Sequence, residues 1–261
     1  MRYNILPGSV FLSKEKTENT QNTASHFVTV NHRKKALDLS GTPLKGLKKE
    51  IDALREIGNQ FHTRGWSLGT SSNYSMVTHR EPLELLITAS GKDKGRLLQH
   101  DFVRVDGEGL PIVIEQPKAS AETLLHIAIA EQPEVGAVMH THSIWGTLLS
   151  DFYFKDSGFE IEGYEMLKGL AGVTTHEHAE WVAVFDNTQD IPALAEQVRQ
   201  CLKNPQPPIQ HGFLIRRHGL YTWGHDLDEA KRHIEIFEFL FECVARRLTF
   251  AGAMPISASN P

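Results

Sequence analysis

The sequence predicts a single α/β domain over residues 44–252, in which a central, mainly antiparallel sheet is flanked by helices. Three observations predict it. The length of 261 residues suits one large domain. Apolar residues recur with both the helical and the strand period. Strands and helices mix without the strict alternation that is typical of parallel sheets. The polar stretch 1–43 is predicted to be a loosely ordered N-terminal extension, and 253–261 a C-terminal tail.

The first half of the domain is predicted to contain one helix and then strands. In GLKKEIDALREIGNQFHTRGW, apolar residues recur at helical spacing and a glycine follows near the end. A turn-rich stretch, LGTSSNYSM, comes next. PLELLITASG predicts a strand that ends at Ser90 and Gly91, and FVRVDGEGLPIVI predicts a hairpin around Asp106 and Gly107.

The second half alternates between helices and strands. ASAETLLHIAIAEQ predicts a helix with Ser120 as its N-cap. VGAVMHTHS predicts a strand, and SIWGTLLSDF a helix directly after it. GFLIRRHGLYTWG is interpreted as a strand with a glycine turn after His218. DLDEAKRHIEIFEFLFECVARRLTF predicts a long amphipathic helix that begins near Asp226 or Asp228.

Composition indicates an ordinary globular protein of a reducing compartment. Hydrophobic residues make up 40% and charged residues 23%, and the formal net charge is -5. A chain without basic excess is not expected to bind nucleic acid or an anionic membrane. The two cysteines, Cys201 and Cys243, are interpreted as buried thiols. No signal-peptide pattern and no membrane-length apolar run is present, so we expect a cytoplasmic location.

Three histidines are candidate metal ligands. His140 and His142 stand two apart on a predicted strand, so both rings should point to one face. Such a pair alone is as compatible with a plain strand end as with a metal. His218 stands before a glycine, which we expect to let the backbone turn sharply. Together the three predict a metal site with one position open for water or substrate.

Two glutamates and a second histidine pair have weaker signals. Glu122 lies near a predicted helix start, where the helix dipole alone favours a carboxylate, although it is also a candidate metal ligand or acid/base. Glu165, in GYEMLKG, lies in an irregular segment, and by its residue context it is most simply a solvated acid. His176 and His178 could compete for metal, but no strand pattern surrounds them, and they are interpreted as structural or as lying at the edge of a pocket.

Three short polar segments are candidates for holding a phosphate group. They are TSSN at 70–73, ASGK at 89–92 and KASAE at 118–122. Backbone N–H groups and serine hydroxyls in such turns form anion-binding concavities, and Lys92 or Lys118 would add positive charge. The pattern of a nucleotide-binding P-loop is missing.

The order of these motifs resembles the class II aldolase/adducin-type superfamily. GTSSN, TASG, SAE, MHTHS and RRHGLYTWG follow one another over residues 45–250. The blocks HTHS, EMLKG and HGLYTWG are similar to those of the branch that dehydrates a phosphorylated methylthio-ketose in methionine salvage. The resemblance implies a single three-layer domain of the class II aldolase type.

The resemblance also implies a role for each candidate. His140, His142 and His218 match the zinc ligands, with one Zn²⁺ per subunit. Glu165 matches the acid/base of the dehydratases, and Glu122 falls where the aldolases keep a carboxylate beside the metal. The superfamily often has glycine at the position of the first phosphate residue. The implied phosphate contacts are Ser72, Asn73, Ser90, Gly91 and Ser120.

By resemblance, the expected activity is that of a cytoplasmic hydro-lyase acting on a small phosphorylated sugar. A class II sugar-phosphate aldolase or 4-epimerase on the same scaffold is the alternative, and a non-catalytic scaffold domain is a further one. The superfamily also implies a homo-oligomer, a tetramer in many of its members. No nucleic-acid or membrane partner is expected.

Overall fold

A computed structural model describes residues 39–203 and 207–253. The predicted extension at 1–43 therefore lies outside the described residues except for its end, and so does almost all of the predicted tail at 253–261. The first described residue, Leu39, is buried in the core together with Leu44. Packed structure therefore begins a few residues before the predicted start of the domain.

Eight strands form one mixed sheet in the described chain. Its order is β3-β2-β1-β4-β8-β7-β6-β5, and every neighbouring pair is antiparallel except β6 and β7. This confirms the predicted, mainly antiparallel sheet. The strands are β1 (Asn73–Arg80), β2 (Leu83–Thr88), β3 (Phe102–Asp106), β4 (Ala137–Thr141), β5 (Gly158–Glu162), β6 (Ala179–Phe185), β7 (Gly212–Ile215) and β8 (Gly219–Gly224).

Helices cover both faces of the sheet and give three layers. Apolar side chains of α1, α3 and α5 pack with one face, and those of α2 and α4 pack with the other. Neighbouring strand residues such as Val138 and Met139 belong to opposite cores, as the strand period requires. The helices are α1 (Lys48–Thr63), α2 (Thr123–Ala130), α3 (Ile144–Phe152), α4 (Ile191–Lys203) and α5 (Leu227–Ala253).

The strongly periodic helices form where the sequence predicts them. The side chain of Ser143 caps α3 by accepting a hydrogen bond from the Gly146 N–H at 3.0 Å. Asp226 does the same for α5, accepting from the Glu229 N–H at 2.9 Å. The predictions for α1, α3 and α5 are therefore confirmed.

Other local predictions were wrong. The stretch interpreted as turn-rich becomes strand at Asn73, because its polar residues pair with β4. The helix α2 begins at Thr123 and has no side-chain cap, while the Ser120 hydroxyl accepts only the Glu122 N–H, at 3.3 Å. The hairpin predicted around Asp106 and Gly107 does form, but it is short, with one bridge between Val105 and Pro111 and a backbone hydrogen bond on either side of it.

The segment GFLIRRHGLYTWG forms two strands, β7 and β8, joined by a tight turn. Both strands are completely buried, and the polar residues 216–218 form the turn between them, just before the position predicted for it. Strands β5 and β6 and helix α4 were not predicted at all.

Cys201 and Cys243 are free and partly exposed, which corrects the expectation that both are buried. Each lies on a helix that is buried on one side only, α4 or α5, and neither falls fully on the buried side. Within the described residues, no helix combines the length and apolar character needed to cross a membrane.

Candidate metal centre and active-site cavity

The three candidate histidines meet at one end of the central strands. His140 lies on β4, which is hydrogen-bonded to β1 on one side and β8 on the other. His142 follows the strand, and His218 occupies the turn between β7 and β8. The Nε2 atoms of His140 and His142 are 2.7 Å apart, so the two rings share a face as predicted. One ligand atom from each histidine lies within 4.8 Å of the others.

Hydrogen bonding fixes which nitrogen of His140 faces this cluster. Its Nδ1 lies 2.8 Å from the backbone carbonyl of Leu220, which can only accept, so Nδ1 carries the proton. The Nε2 lone pair of His140 therefore points at His142. Outer hydrogen bonds of this kind commonly hold metal-binding imidazoles in position.

The cluster is suited to neutral imidazoles. Burial, reinforced by the neighbouring histidines, holds the pKa of His140 well below its usual range. Burial and the charge of His218 lower the pKa of His142 to about 3. Neutral rings with converging lone pairs are the form in which histidine binds a metal. The three residues thus fit a divalent cation with a nitrogen-rich donor set.

The turn that presents His218 works differently from the prediction. Arg217, not glycine, has the left-handed conformation, with φ of 51°. Gly219 already belongs to β8, and a Cβ there would collide with the backbone carbonyl of Thr141 and lie 3.0 Å from Cε1 of His140. Glycine is therefore required at 219 for close approach of the strands, not for the turn.

Glu122 joins the cluster from the start of α2. Its Oε1 lies 3.2 Å from Nε2 of His218, and its Oε2 lies 3.6 Å from Nε2 of His140. The carboxylate is largely buried. It is therefore placed either to complete a coordination sphere or to exchange a proton beside it.

A chain of hydrogen bonds orients this carboxylate. The Nδ2 of Asn73 donates to Oε2 of Glu122 at 2.6 Å, so the Oδ1 of Asn73 must accept from Nε2 of His126. Nδ1 of His126 then accepts from the Ser75 hydroxyl at 2.7 Å. Burial lowers the pKa of His126 to about 3, which keeps the ring neutral. Every donor in the chain points toward Glu122.

A cavity of about 280 Å³ opens beside these residues. His142, His218 and Glu122 line one part of it. All five residues that the family resemblance implies for phosphate binding line it too. The remaining lining residues are Thr70, Ser71, Ala89, Lys94, Ala121, Asn187, Thr188, Gln189 and Ile191.

Lys94 is the residue that sequence reasoning missed. Its side chain is 1% exposed, and its Nζ donates to the backbone carbonyls of Lys92, at 2.7 Å, and Thr70, at 3.4 Å. No carboxylate in the described part of the chain pairs with it, and burial lowers its pKa to about 8. Lys92, which sequence reasoning favoured, instead pairs with Asp101 at 2.8 Å, and neither it nor Lys118 lines the cavity.

Ser72 has a backbone conformation that favours glycine. Its φ is 69°, in the left-handed region, and its hydroxyl donates to the Trp66 carbonyl at 3.3 Å. This conformation would suit the glycine that the family resemblance implies at this position. Because of its hydrogen bond to Trp66, the Ser72 hydroxyl is already engaged with the backbone.

Glu165 lies outside the cavity. It begins a short 3-10 helix, Glu165–Gly169, its side chain is 70% exposed, and it contacts Lys168 and, at 3.8 Å, His176. The hydrogen bond from Lys168 lowers the pKa of Glu165. His176 and His178 do not line the cavity either. Within one described chain, the cavity and the predicted acid/base are therefore separate.

Comparison with known proteins identifies the family. The model of the "Class II Aldolase and Adducin N-terminal domain" matches residues 52–245, which is most of the chain. The chain belongs to the class II aldolase and adducin family. The match spans all three histidines, Glu122 and the cavity-lining segments.

Relatives narrow the comparison within this family. The methylthioribulose-1-phosphate dehydratase of Marinobacter nauticus is 50% identical over 189 residues, covering 72% of this chain and 88% of the relative. The enzyme of the same name from Persephonella marina is 38% identical over 209 residues, covering 80% and 95%. The L-fuculose-1-phosphate aldolase of Thermus thermophilus has the same fold, with a TM-score of 0.62 at 23% identity and coverage of 79% and 99%.

Proposed function

We propose that this protein is a zinc-dependent hydro-lyase that converts 5-methylthioribulose 1-phosphate into 2,3-diketo-5-methylthiopentyl 1-phosphate in methionine salvage. One observation carries the proposal: a single cavity contains metal-binding imidazoles, a carboxylate and a buried ammonium group that pairs with no carboxylate of the described residues. A ketose phosphate needs a metal ion at its carbonyl and a cation at its phosphate, and Glu122 is the carboxylate that lies beside the metal-binding imidazoles. The dehydratases at 38–50% identity over most of the chain support the choice of substrate.

His140, His142 and His218 would hold the zinc ion. Zinc so bound acts as a Lewis acid that stabilises negative charge on the oxygen of a ketone. The three histidines leave room for substrate oxygen, because the cavity lies directly beside them. The hydrogen bond from Nδ1 of His140 to Leu220 keeps that ring in the tautomer the site requires.

Lys94 and the serine-rich turns would bind the phosphate. Without a carboxylate partner, the buried ammonium of Lys94 is suited to an anionic ligand. Ser72, Asn73, Ser90, Gly91 and Ser120 line the same cavity. Anchoring one end of the substrate fixes the reacting carbons relative to the acid/base groups.

The reaction needs one proton removed and one delivered. The C3 proton, next to the C2 ketone, is removed, and the C4 hydroxyl leaves as water after taking up a proton. The enol that results tautomerises to the diketone. We assign both proton transfers to Glu165, which would take the proton from C3 and return it to the leaving C4 hydroxyl. General acid/base catalysis of this kind raises a reaction rate by roughly 100- to 10,000-fold. Because Glu165 is remote from its own cavity, we propose that a second copy of the chain, in a homotetramer, supplies it.

A direct assay tests the proposal. Purified protein is incubated with methylthioribulose 1-phosphate, and the diketone is followed by mass spectrometry as the loss of one water molecule. Activity is expected to disappear with a chelator and to return with Zn²⁺. The His140→Ala protein should be inactive, while His100→Ala, at an exposed histidine, should be fully active. Release of a phosphorylated triose from a sugar phosphate, with no diketone, would instead identify an aldolase.

A further inference from the structure

A second cluster of metal-binding side chains lies away from the cavity. It consists of His178, Glu180 and His211, which we call the Glu180 cluster. Glu180 alternates along β6 with Val182 and Val184, whose side chains pack in the core on the α5 side of the sheet. The first cluster is on the other face of the sheet. His211 precedes β7, whereas His218 follows that strand, so the two clusters also lie at opposite ends of it.

The cluster is built around a buried carboxylate. Glu180 is 1% exposed, and its Oε2 lies 2.8 Å from Nε2 of His178 and 3.0 Å from Nδ1 of His211. Its other oxygen, Oε1, is buried without a hydrogen-bond partner. Within the described residues, no lysine or arginine pairs with it. A buried carboxylate without a lysine or arginine partner and without full hydrogen bonding is unfavourable, so the cluster requires a positive charge, from a metal ion or from a protonated histidine.

Hydrogen bonding also directs a lone pair of His211 into the cluster. Its Nε2 lies 2.8 Å from the Ala171 carbonyl, which can only accept, so that nitrogen carries the proton. In the neutral ring, Nδ1 then faces Glu180 as an acceptor at 3.0 Å. Two acceptors at that distance must share a cation or a further proton. His140 shows the same arrangement in the first cluster, with one ring nitrogen on a backbone carbonyl and the other facing its neighbours.

We propose that the Glu180 cluster binds a second divalent metal ion, with His178, Glu180 and His211 as ligands and zinc as the ion best matched to the donors. Two imidazoles and one carboxylate are an established zinc donor set. His178 is 21% exposed, which leaves a route for the ion and for a water as fourth ligand. The proposal does not depend on the reaction that the cavity performs.

An ion in this position would tie together segments that are far apart in sequence. Besides joining β6 to the start of β7, His211 holds the Ala171 carbonyl, and the Ala171 N–H donates to Nε2 of His233 on α5 at 3.0 Å. Ala171 closely follows the 3-10 helix that begins at Glu165. The second ion would therefore anchor the segment that carries Glu165, with a structural effect at a distance from the cavity.

Metal content tests the proposal without any activity measurement. Protein produced without a histidine tag is equilibrated with Zn²⁺, passed through a desalting column and analysed by mass spectrometry for zinc per chain. Two ions are expected in the wild type and in the His100→Ala control. The His140→Ala/His218→Ala double variant should keep one ion, and adding His178→Gln to it should remove that ion as well. The glutamine keeps a hydrogen-bond donor to Glu180 but has no imidazole lone pair.

The outcomes distinguish a metal ion in the Glu180 cluster from a cluster that holds only a proton. One ion in the wild type and none in the folded double variant would overturn it and would mean that the cluster holds only a proton. An ion that survives His178→Gln in the double-variant background would overturn it too, because the ion would then lie elsewhere. Circular dichroism establishes that each variant is folded. Cobalt substitution of the double variant provides a second readout, since the visible bands of bound Co²⁺ should appear and then disappear with His178→Gln.

Discussion

At the scale of single residues, Lys94 is the group that we propose binds the phosphate of the substrate. Its ammonium group is buried, it has backbone carbonyls as its only hydrogen-bonding partners among the described residues, and it faces the cavity. Burial lowers the pKa of Lys94 to about 8. The side chain is therefore mostly charged at neutral pH and loses its charge when the solution becomes moderately alkaline.

Replacing Lys94 should weaken substrate capture and change its pH dependence. We expect Lys94→Met to lower kcat/KM by roughly 10- to 100-fold, as removal of a charged hydrogen bond does. In the wild type, kcat/KM should fall as pH rises through about 8, because the free enzyme then loses the ammonium charge. In Lys94→Met this alkaline fall should be absent. Steady-state kinetics between about pH 6.5 and 9.5, roughly 1.5 units on either side of that pKa, measure both effects.

A matched replacement of Lys92 serves as the control. Lys92 is partly exposed and pairs with Asp101, so Lys92→Met should leave kcat/KM within about twofold of the wild type. An unchanged alkaline fall in Lys94→Met would show that another group titrates there.

Lys94 also illustrates what the sequence did and did not reveal at this scale. The polar turn ASGK correctly predicted a segment that lines the cavity, but Lys92 was the more obvious cation. Asp93 caps the short 3-10 helix Lys94–Arg96 by accepting from the Gly95 N–H at 2.9 Å. That turn places Lys94 in the interior and leaves Lys92 at the surface. A helix of three residues has no periodicity from which to predict it.

At the scale of elements, the β4–β8 pair brings His140, on β4, close to His218, which directly precedes β8. His140 pairs with Tyr221, and Thr141 pairs with Leu220. Gly219 permits this approach because a side chain there would strike the Thr141 carbonyl. The strand pairing and the histidine cluster therefore depend on the same small residue.

Substituting Gly219 should damage stability and metal binding together. For Gly219→Ala we expect the free energy of unfolding to fall by about 1–3 kcal/mol, as in other overpacked sites, and zinc affinity to decrease. Urea denaturation and chelator competition measure the two quantities. Gly107→Ala is the control, since a Cβ there meets Leu83 at an ordinary 3.6 Å, and it should change neither. A fully stable Gly219→Ala protein with normal zinc affinity would contradict the steric argument.

Sequence patterns predicted some elements better than others for a physical reason. α1 and α5 have one apolar face over many turns, so their period is visible. β7 and β8 are buried on both faces, so neither shows the strand period, and only the polar residues 216–218 indicate the turn between them. The histidine cluster was predictable because β4 is short and ends at the pair itself. Its contact with Glu122 depends on tertiary packing, which no local pattern encodes.

At the scale of the whole molecule, the position of Glu165 indicates that an active site would need residues from more than one chain. The residue is exposed and separate from its own cavity. If it acts on the substrate of a neighbouring subunit, each active site contains residues of two copies.

Mixing two inactive proteins tests this arrangement. Neither Glu165→Gln nor His140→Ala should be active alone. Mixed oligomers should regain up to about a quarter of wild-type turnover, because a Glu165→Gln subunit keeps its metal site and a His140→Ala neighbour supplies Glu165. As a control, Glu165→Gln mixed with the Glu165→Gln/His140→Ala double variant should stay inactive. If mixed oligomers form and remain inactive, Glu165 does not act between subunits.

The hydrogen bond between His140 and Leu220 joins residues that are 80 positions apart. The histidine cluster therefore exists only when the middle of the chain has paired with a strand near its end, a non-local contact that we expect to form late in folding. An ion bound there would stabilise the native state and would hardly change the free energy of the folding transition state, in which the cluster is not yet formed. Zinc should accordingly slow unfolding while leaving the refolding rate nearly unchanged, so bound metal would govern how long the folded enzyme persists more than how fast it forms.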